Sequence, residues 1–288
     1  MTIGHLVTVS QVRFRKIQAA EGVPKNRVCS NKELLTMGRN IKLVLAYDGT
    51  AYHGWQMQPK HPTIQKTLHQ TLWRVLGGPT QPPHASGRTD AGVHALGQVV
   101  TFLTDKPIPA ANLVMALNDV LPADMRVLSA EETSADFHPR DSAKAKTYRY
   151  RLLRSEICSP FLARFVNHYP YPLDEAAMIA AAGLIKGEHD FTSFAAADPE
   201  KGLEDEDRSK VRTIFSSIWR REGDELIYEV RGSGFLHHMV RNLVGTFLLL
   251  GRGTITAKDV KRILDLKDRS AAGPTVGPEG LYLVNVEY

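Results

Sequence analysis

Ser86-Gly87-Arg88-Thr89-Asp90-Ala91-Gly92-Val93-His94-Ala95-Leu96-Gly97-Gln98-Val99 is the stretch on which the reading of this chain turns. It sets one carboxylate and one guanidinium between glycines, and glycine lets a backbone come close to a ligand. An isolated Arg-Thr-Asp reads equally as a turn closed by a local side-chain hydrogen bond. The neighbouring sequence therefore matters. A loop rich in Pro, Gly and Ser covers residues 79–92, and residues 98–103 follow as a strand.

Upstream, Ile41, Leu43, Leu45 and Tyr47 alternate on one side of a half-buried strand that Asp48-Gly49 then turns. Ile64, Leu68, Leu72 and Val75 recur at helical spacing until Gly77-Gly78 stops the pattern. Residues 110–120 read as a second helix bracketed by Pro107, Pro109 and Pro122. The later half repeats the plan: strand 146–153, helix 174–186, strands 211–220 and 226–231, and helix 235–250. Thr256 with Asp259 has the spacing of a capping box opening a helix to about residue 266, and residues 281–288 alternate as a terminal strand. These elements predict an α+β fold of two similar halves, with antiparallel sheets side by side and an active-site cleft between them, a platform long enough for a nucleic-acid stem. The polar residues 136–145 mark the boundary, giving subdomains 39–140 and 141–288. The acid-rich run 198–207 reads as a solvated surface insertion.

The 288 residues, 43% of them hydrophobic, are enough to bury a sizeable core. The longest apolar candidate, residues 239–250, is broken by Arg241, Asn242, Gly245 and Thr246, well short of the run of about 18 residues that spans a bilayer. No membrane partner is expected. Two cysteines, Cys29 and Cys158, stand far apart with no ligand-spaced neighbours, which signals neither a disulfide framework nor a zinc site and suits a reducing cytoplasm. Of the net charge of +5, most resides in residues 1–38, where Arg13, Arg15, Lys16, Lys25, Arg27 and Lys32 face only Glu21 and Glu33. That segment is expected to be a basic flexible extension: either a genuine arm, or the product of a start codon upstream of Met37. Bulk charge is thus weak evidence for an RNA partner, and local patches carry the argument. One such patch is the run Lys144, Lys146, Arg149, Arg151 and Arg154, which contains no acid.

Five stretches together resemble one family. They are the 14 residues 86–99, then Tyr47-Asp48-Gly49-Thr50-Ala51-Tyr52-His53-Gly54-Trp55-Gln56, Lys146-Thr147-Tyr148-Arg149-Tyr150, Val211-Arg212-Thr213-Ile214, and Gly234-Phe235-Leu236-His237-His238-Met239-Val240-Arg241-Asn242. The chain is similar from about residue 39 onward to the pseudouridine synthases, and among them to the bacterial tRNA branch called the TruA family. The resemblance implies the pseudouridine synthase fold, two α+β subdomains of ferredoxin or RRM type. It implies an isomerisation in which uracil is cut from ribose C1′, turned in the pocket and rejoined through C5, without metal or cofactor. Asp90 matches the catalytic aspartate. Arg88 matches the position that fills the space of the extruded base, Tyr148 the tyrosine stacked on uracil, and Arg241 the arginine paired with the aspartate. The substrate implied is uridine at positions 38–40 of the tRNA anticodon stem-loop, and the working unit a homodimer in the cytoplasm.

Each assignment has a plainer counterpart. Arg88 reads also as a surface arginine, Tyr148 and Tyr150 as a core-packing pair, and Arg241 as a solvated helix residue off the buried stripe of Leu236, Met239, Val240, Leu243, Val244 and Phe247. His237 and His238, being adjacent, make a poor metal pair and read as packing or RNA contacts. Gly232-Ser233-Gly234 invites a dinucleotide-binding reading, but His237 stands where the third glycine belongs. A retaining glycosidase needs two close carboxylates, and the loop offers Asp90 with only Asp48 as a distant second. A tRNA-binding protein without catalysis, acting as an RNA chaperone, would keep Tyr148 and the basic strand yet have no use for a paired, desolvated carboxylate.

Overall fold

The strand predicted at residues 41–47 is β1, Arg39–Tyr47, with Ile41, Leu43 and Leu45 fully buried. It belongs to a computed structural model that describes residues 38–78, 80–197 and 209–288. The basic segment 1–37 and the acid-rich run 198–207 lie outside the described residues. β1 pairs antiparallel with β3, His94–Thr104, and with β4, Met125–Thr133; the two-residue β2, His84–Ala85, joins the far side of β3. Helix α1, Ile64–Leu76, starts at Thr63, whose hydroxyl accepts the Lys66 N–H at 3.3 Å, and stops at Gly77 with φ 71°. Helix α2, Ala110–Val120, packs Leu113 and Leu117 inward.

In the later half, β5, Ala145–Leu153, pairs with β6, Asn167–His168, and with β9, Glu225–Gly232. Beyond β9 come β8, Val211–Glu222, and the edge strand β7, Gly187–Asp190. The helix predicted over 174–186 is α3, Glu175–Ala181, tightening into a 3-10 turn over Ala182–Ile185. Helix α4, Met239–Gly251, begins four residues later than the apolar stripe predicts. Helix α5, Ala257–Leu266, has the expected capping box: the Asp259 carboxylate accepts the Thr256 backbone N–H at 2.8 Å.

The two sets of strands are not separate sheets. β10, Leu281–Glu287, pairs antiparallel with β5 and parallel with β3, through Tyr282 opposite His94 and Leu283 opposite Ala95. One continuous sheet results, in the order β4-β1-β3-β10-β5-β9-β8-β7, with β2 and β6 attached. Gly97 permits this join, because a Cβ there would stand 2.7 Å from the Val284 carbonyl oxygen. The seam brings the loop that precedes β3 against the start of β5, and the candidate site lies there.

Candidate active site

Residues 86–93 leave β2 and return into β3 as a loop whose backbone is pinned throughout. The Ser86 hydroxyl donates to Gln98 Oε1 at 2.6 Å, and Gln98 Nε2 donates to the Gly87 carbonyl at 2.8 Å. Thr89 is fixed by Tyr47, hydroxyl to hydroxyl at 2.9 Å, and by the Trp55 N–H, which donates to its carbonyl at 2.9 Å. Gly54, φ 80°, lies so close that a Cβ would come within 2.7 Å of that carbonyl. The turn at 48–55 therefore cradles the loop from outside the site. Burial pushes the Tyr47 hydroxyl up to about 12, so it remains a neutral donor or acceptor toward Thr89 and Gln98.

Asp90 projects from this loop with its side chain 19% exposed. Arg241 of α4 donates from Nη1 to Asp90 Oδ2 at 3.1 Å, while its Nε donates to the Val276 carbonyl at 2.7 Å, so the guanidinium is held at both ends. His238 Nε2 stands 3.4 Å from Oδ2 and His237 Nε2 3.7 Å from Oδ1. Both imidazoles reach the carboxylate because α4 starts late: Met239 N–H closes a turn onto the Leu236 carbonyl, and His238 takes φ 58°, a left-handed conformation uncommon for a side-chain-bearing residue. The turn stacks the two rings 3.9 Å apart. Burial pushes the His238 imidazole down, partly offset by the Asp90 charge. Sequence reasoning missed the two histidines as neighbours of Asp90; adjacency suggests opposite directions, and only the left-handed turn makes them converge.

Asp90, His237 and His238 are also the one grouping among the described residues whose ligand atoms lie close enough, within 4.8 Å of one another, to hold a metal ion. Arg241 already occupies Oδ2 from the other side, which opposes a dication there.

Tyr148 of β5 is buried, with its ring edge-on to Phe235 at 5.0 Å. Burial drives its hydroxyl above the ordinary range, reinforced by Tyr47 and Asp90. Tyr150 lies two residues along, fully buried, with its hydroxyl donating to the Gly277 carbonyl at 2.7 Å; it packs as expected. Arg88 is exposed at the cavity rim. Asp90, Arg88 and Tyr148 line a single cavity of about 700 Å³, and Arg241 supports Asp90 from behind. Among the described residues that line it, Asp90 is the only carboxylate, against five cations: Arg88, Arg140, Lys146, Lys210 and Arg212.

The basic run on β5 has a different fate from the expected one. Arg149 pairs with Glu229, Arg151 with Glu225 and Arg154 with Glu175, so three of its charges are neutralised. Of the run only Lys146 lines the cavity; the other lining cations, Arg88, Arg140, Lys210 and Arg212, come from elsewhere in the chain.

A carboxylate held by an arginine in a cation-lined cavity is an arrangement that suits an enzyme acting on a polyanion. A family profile described as tRNA pseudouridine synthase matches residues 43–140 and 181–288, which include Asp90 and Arg241. Three relatives called tRNA pseudouridine synthase A are similar over nearly their whole lengths: 52% identity in Solibacter usitatus (87% of this chain, 100% of the relative), 47% in Halalkalibacterium halodurans (84% and 90%) and 42% in Latilactobacillus sakei (88% and 100%). Among solved structures, a Cbf5-Nop10-Gar1 complex is similar at a TM-score of 0.35 and 14% identity, over 76% of this chain and 46% of that one. The chain belongs to the tRNA pseudouridine synthase family of isomerases, as its sequence motifs imply.

Proposed function

We propose that the chain isomerises uridine to pseudouridine at positions 38–40 of the tRNA anticodon stem-loop, with Asp90 as the nucleophile. The observation that carries the reading is the setting of Asp90: the sole carboxylate among the described residues of the cavity lining, paired with Arg241 at 3.1 Å. That pairing holds the carboxylate in place for either chemical route. In one route the carboxylate adds covalently; in the other it removes a ribose proton on the way to a glycal. The leaving uracil is a resonance-stabilised anion, so neither route calls on a metal or cofactor.

The target base must leave its stack, at a cost of a few kcal/mol. Arg88 at the rim fills the vacated space, a guanidinium plane being suited to stacking and phosphate contact. Tyr148 stacks on the uracil inside, worth roughly 1–3 kcal/mol. A cavity of about 700 Å³ accommodates a flipped nucleotide. The subdomain 39–140 supplies Asp90 and the subdomain 141–288 supplies Tyr148 and Arg241, with uridine held between them. The enzyme works in the cytoplasm as a homodimer whose subunits share one tRNA.

The test incubates unmodified tRNA transcripts with the protein and with Asp90→Ala, without added metal and with a chelator present, and maps pseudouridine chemically. The expected product lies at positions 38–40, is insensitive to chelation and is absent with Asp90→Ala, which still binds tRNA. Equal absence of product from both proteins, with tRNA bound, favours the non-catalytic RNA-binding reading. Joint loss of binding and product in the variant contradicts the nucleophile assignment.

A further inference from the structure

Lys146 enters the cavity from β5, Arg212 from β8, and Arg140 from the connection between β4 and β5. None of the three has an ion pair with a carboxylate among the described residues, in contrast to Arg149, Arg151 and Arg154 nearby. Lys146 Nζ donates to the Ser86 carbonyl, and Arg212 donates only to the carbonyls of Ser209 and Val211, at 2.8 and 2.6 Å. Asp141, the acid that acts on Lys146, is itself held by His138 at 2.8 Å.

Like charges gathered in a partly desolvated cavity cost stability unless an opposite charge completes them. The cost is visible in Lys146: burial first, then Arg140 and Arg212, pushes its ammonium down to about 8. Arg212 is lowered as well, by burial and by Arg140. Access is left open on two sides by residues without side chains. A Cβ on Gly87 would stand 3.2 Å from Lys146 Nζ, and one on Gly234 3.5 Å from Arg212 Nε. Gly87 lies on the loop of Asp90, so an anion bound at the three cations sits beside the nucleotide that faces the carboxylate.

We infer that Lys146, Arg140 and Arg212 form a phosphodiester-binding subsite for the RNA strand next to the target nucleotide. This rests on the reading of the cavity as an RNA site. An anion raises the affinity of Lys146 for its proton, so RNA binding takes up a proton on the alkaline side of pH 8. Affinity for tRNA is therefore full below that pH and falls above it, by up to tenfold per pH unit, until the raised value of the complex is reached. The other titratable and charged groups facing the subsite are Asp141, Arg140, Arg212, His84, His138 and Tyr148; burial pushes His84 below its ordinary value and the Tyr148 hydroxyl above its own, so both shifts lead away from pH 8.

The experiment measures tRNA binding by the full chain from pH 7 to 9.5 over a salt series, for wild type and for Lys146→Arg, Lys146→Gln and Arg140→Gln. The expected result is an alkaline limb in wild type that is flat in Lys146→Arg, whose charge persists. Lys146→Gln and the exposed Arg140→Gln should each bind about tenfold more weakly at pH 7, with a salt slope shallower by about 0.7–0.9. An alkaline limb retained in Lys146→Arg, or wild-type affinity and salt slope in both glutamine variants, overturns the subsite alone. Inorganic phosphate is the second probe: expected to compete no better than chloride at equal ionic strength, it overturns the assignment to RNA if it binds Lys146 at micromolar concentration. Wild-type protein that neither binds tRNA nor makes pseudouridine overturns the RNA reading, and the subsite with it.

Discussion

Arg241 spends its two ends on different partners, Nη1 on Asp90 and Nε on the Val276 carbonyl, and a lysine can serve only one of them. Arg241→Lys should therefore lower single-turnover pseudouridine formation by about a hundredfold while changing tRNA affinity little. A variant as fast as wild type would show that charge alone, without the fixed fork, suffices. His238 carries a second constraint, its left-handed backbone. Asparagine tolerates that region and valine does not, so His238→Asn should match wild type in urea unfolding and His238→Val should lose about 1–3 kcal/mol. Equal stability of the two variants would mean that the turn relaxes without penalty.

At the level of elements, the sheet seam depends on a close approach that only glycine allows. Gly97→Ala puts a Cβ against the Val284 carbonyl, with backbone on both sides and no side chain to yield. It should destabilise the protein by about 1–3 kcal/mol and also lower activity, because the same seam sets Asp90 against Tyr148; a melting temperature unchanged from wild type would refute the strain. Elements with strong periodicity were legible in advance. β1, α1 and α2 carry clean alternation or helical spacing, and Thr256 with Asp259 marks the start of α5. β4 was not foreseen, since as an edge strand only Met125 and Val127 of it are buried and its remaining residues read as loop. The late start of α4 was hidden because Phe235 and Leu236 continue its apolar stripe while forming a turn. The motif residues Asp90, Arg88, Tyr148 and Arg241 could be named from resemblance; the structure brings the first three to one cavity and bonds Arg241 to Asp90. The charge of that cavity could be read only in part from the basic run on β5: Lys146 contributes to it, while salt bridges formed in the fold cancel Arg149, Arg151 and Arg154.

For the whole molecule, three histidines that the fold makes harder to protonate set an acid limit. His94 lies stacked on Tyr282 at 4.8 Å, with Nδ1 accepting the Gly49 N–H at 3.1 Å and its other nitrogen 2.9 Å from the Arg164 carbonyl, an arrangement that suits the neutral ring. Burial pushes it below its ordinary 6.5, against an opposing pull from Asp48, and His84 and His238 shift the same way. The unfolded chain thus binds protons that the folded one refuses. Stability should be full above about pH 6.5 and fall as pH drops from there toward the lowered folded values. Urea midpoints at pH 8, 6 and 5 check the sign; a midpoint constant across that range would contradict it. The seam also orders events in time. β10 follows every other strand in the chain, yet it alone bridges β3 to β5, so the carboxylate on one side and the tyrosine on the other are complete in sequence long before they are neighbours. A ribosome that has translated as far as residue 280 has made Asp90, Tyr148 and Arg241 but not the strand that joins their two sides.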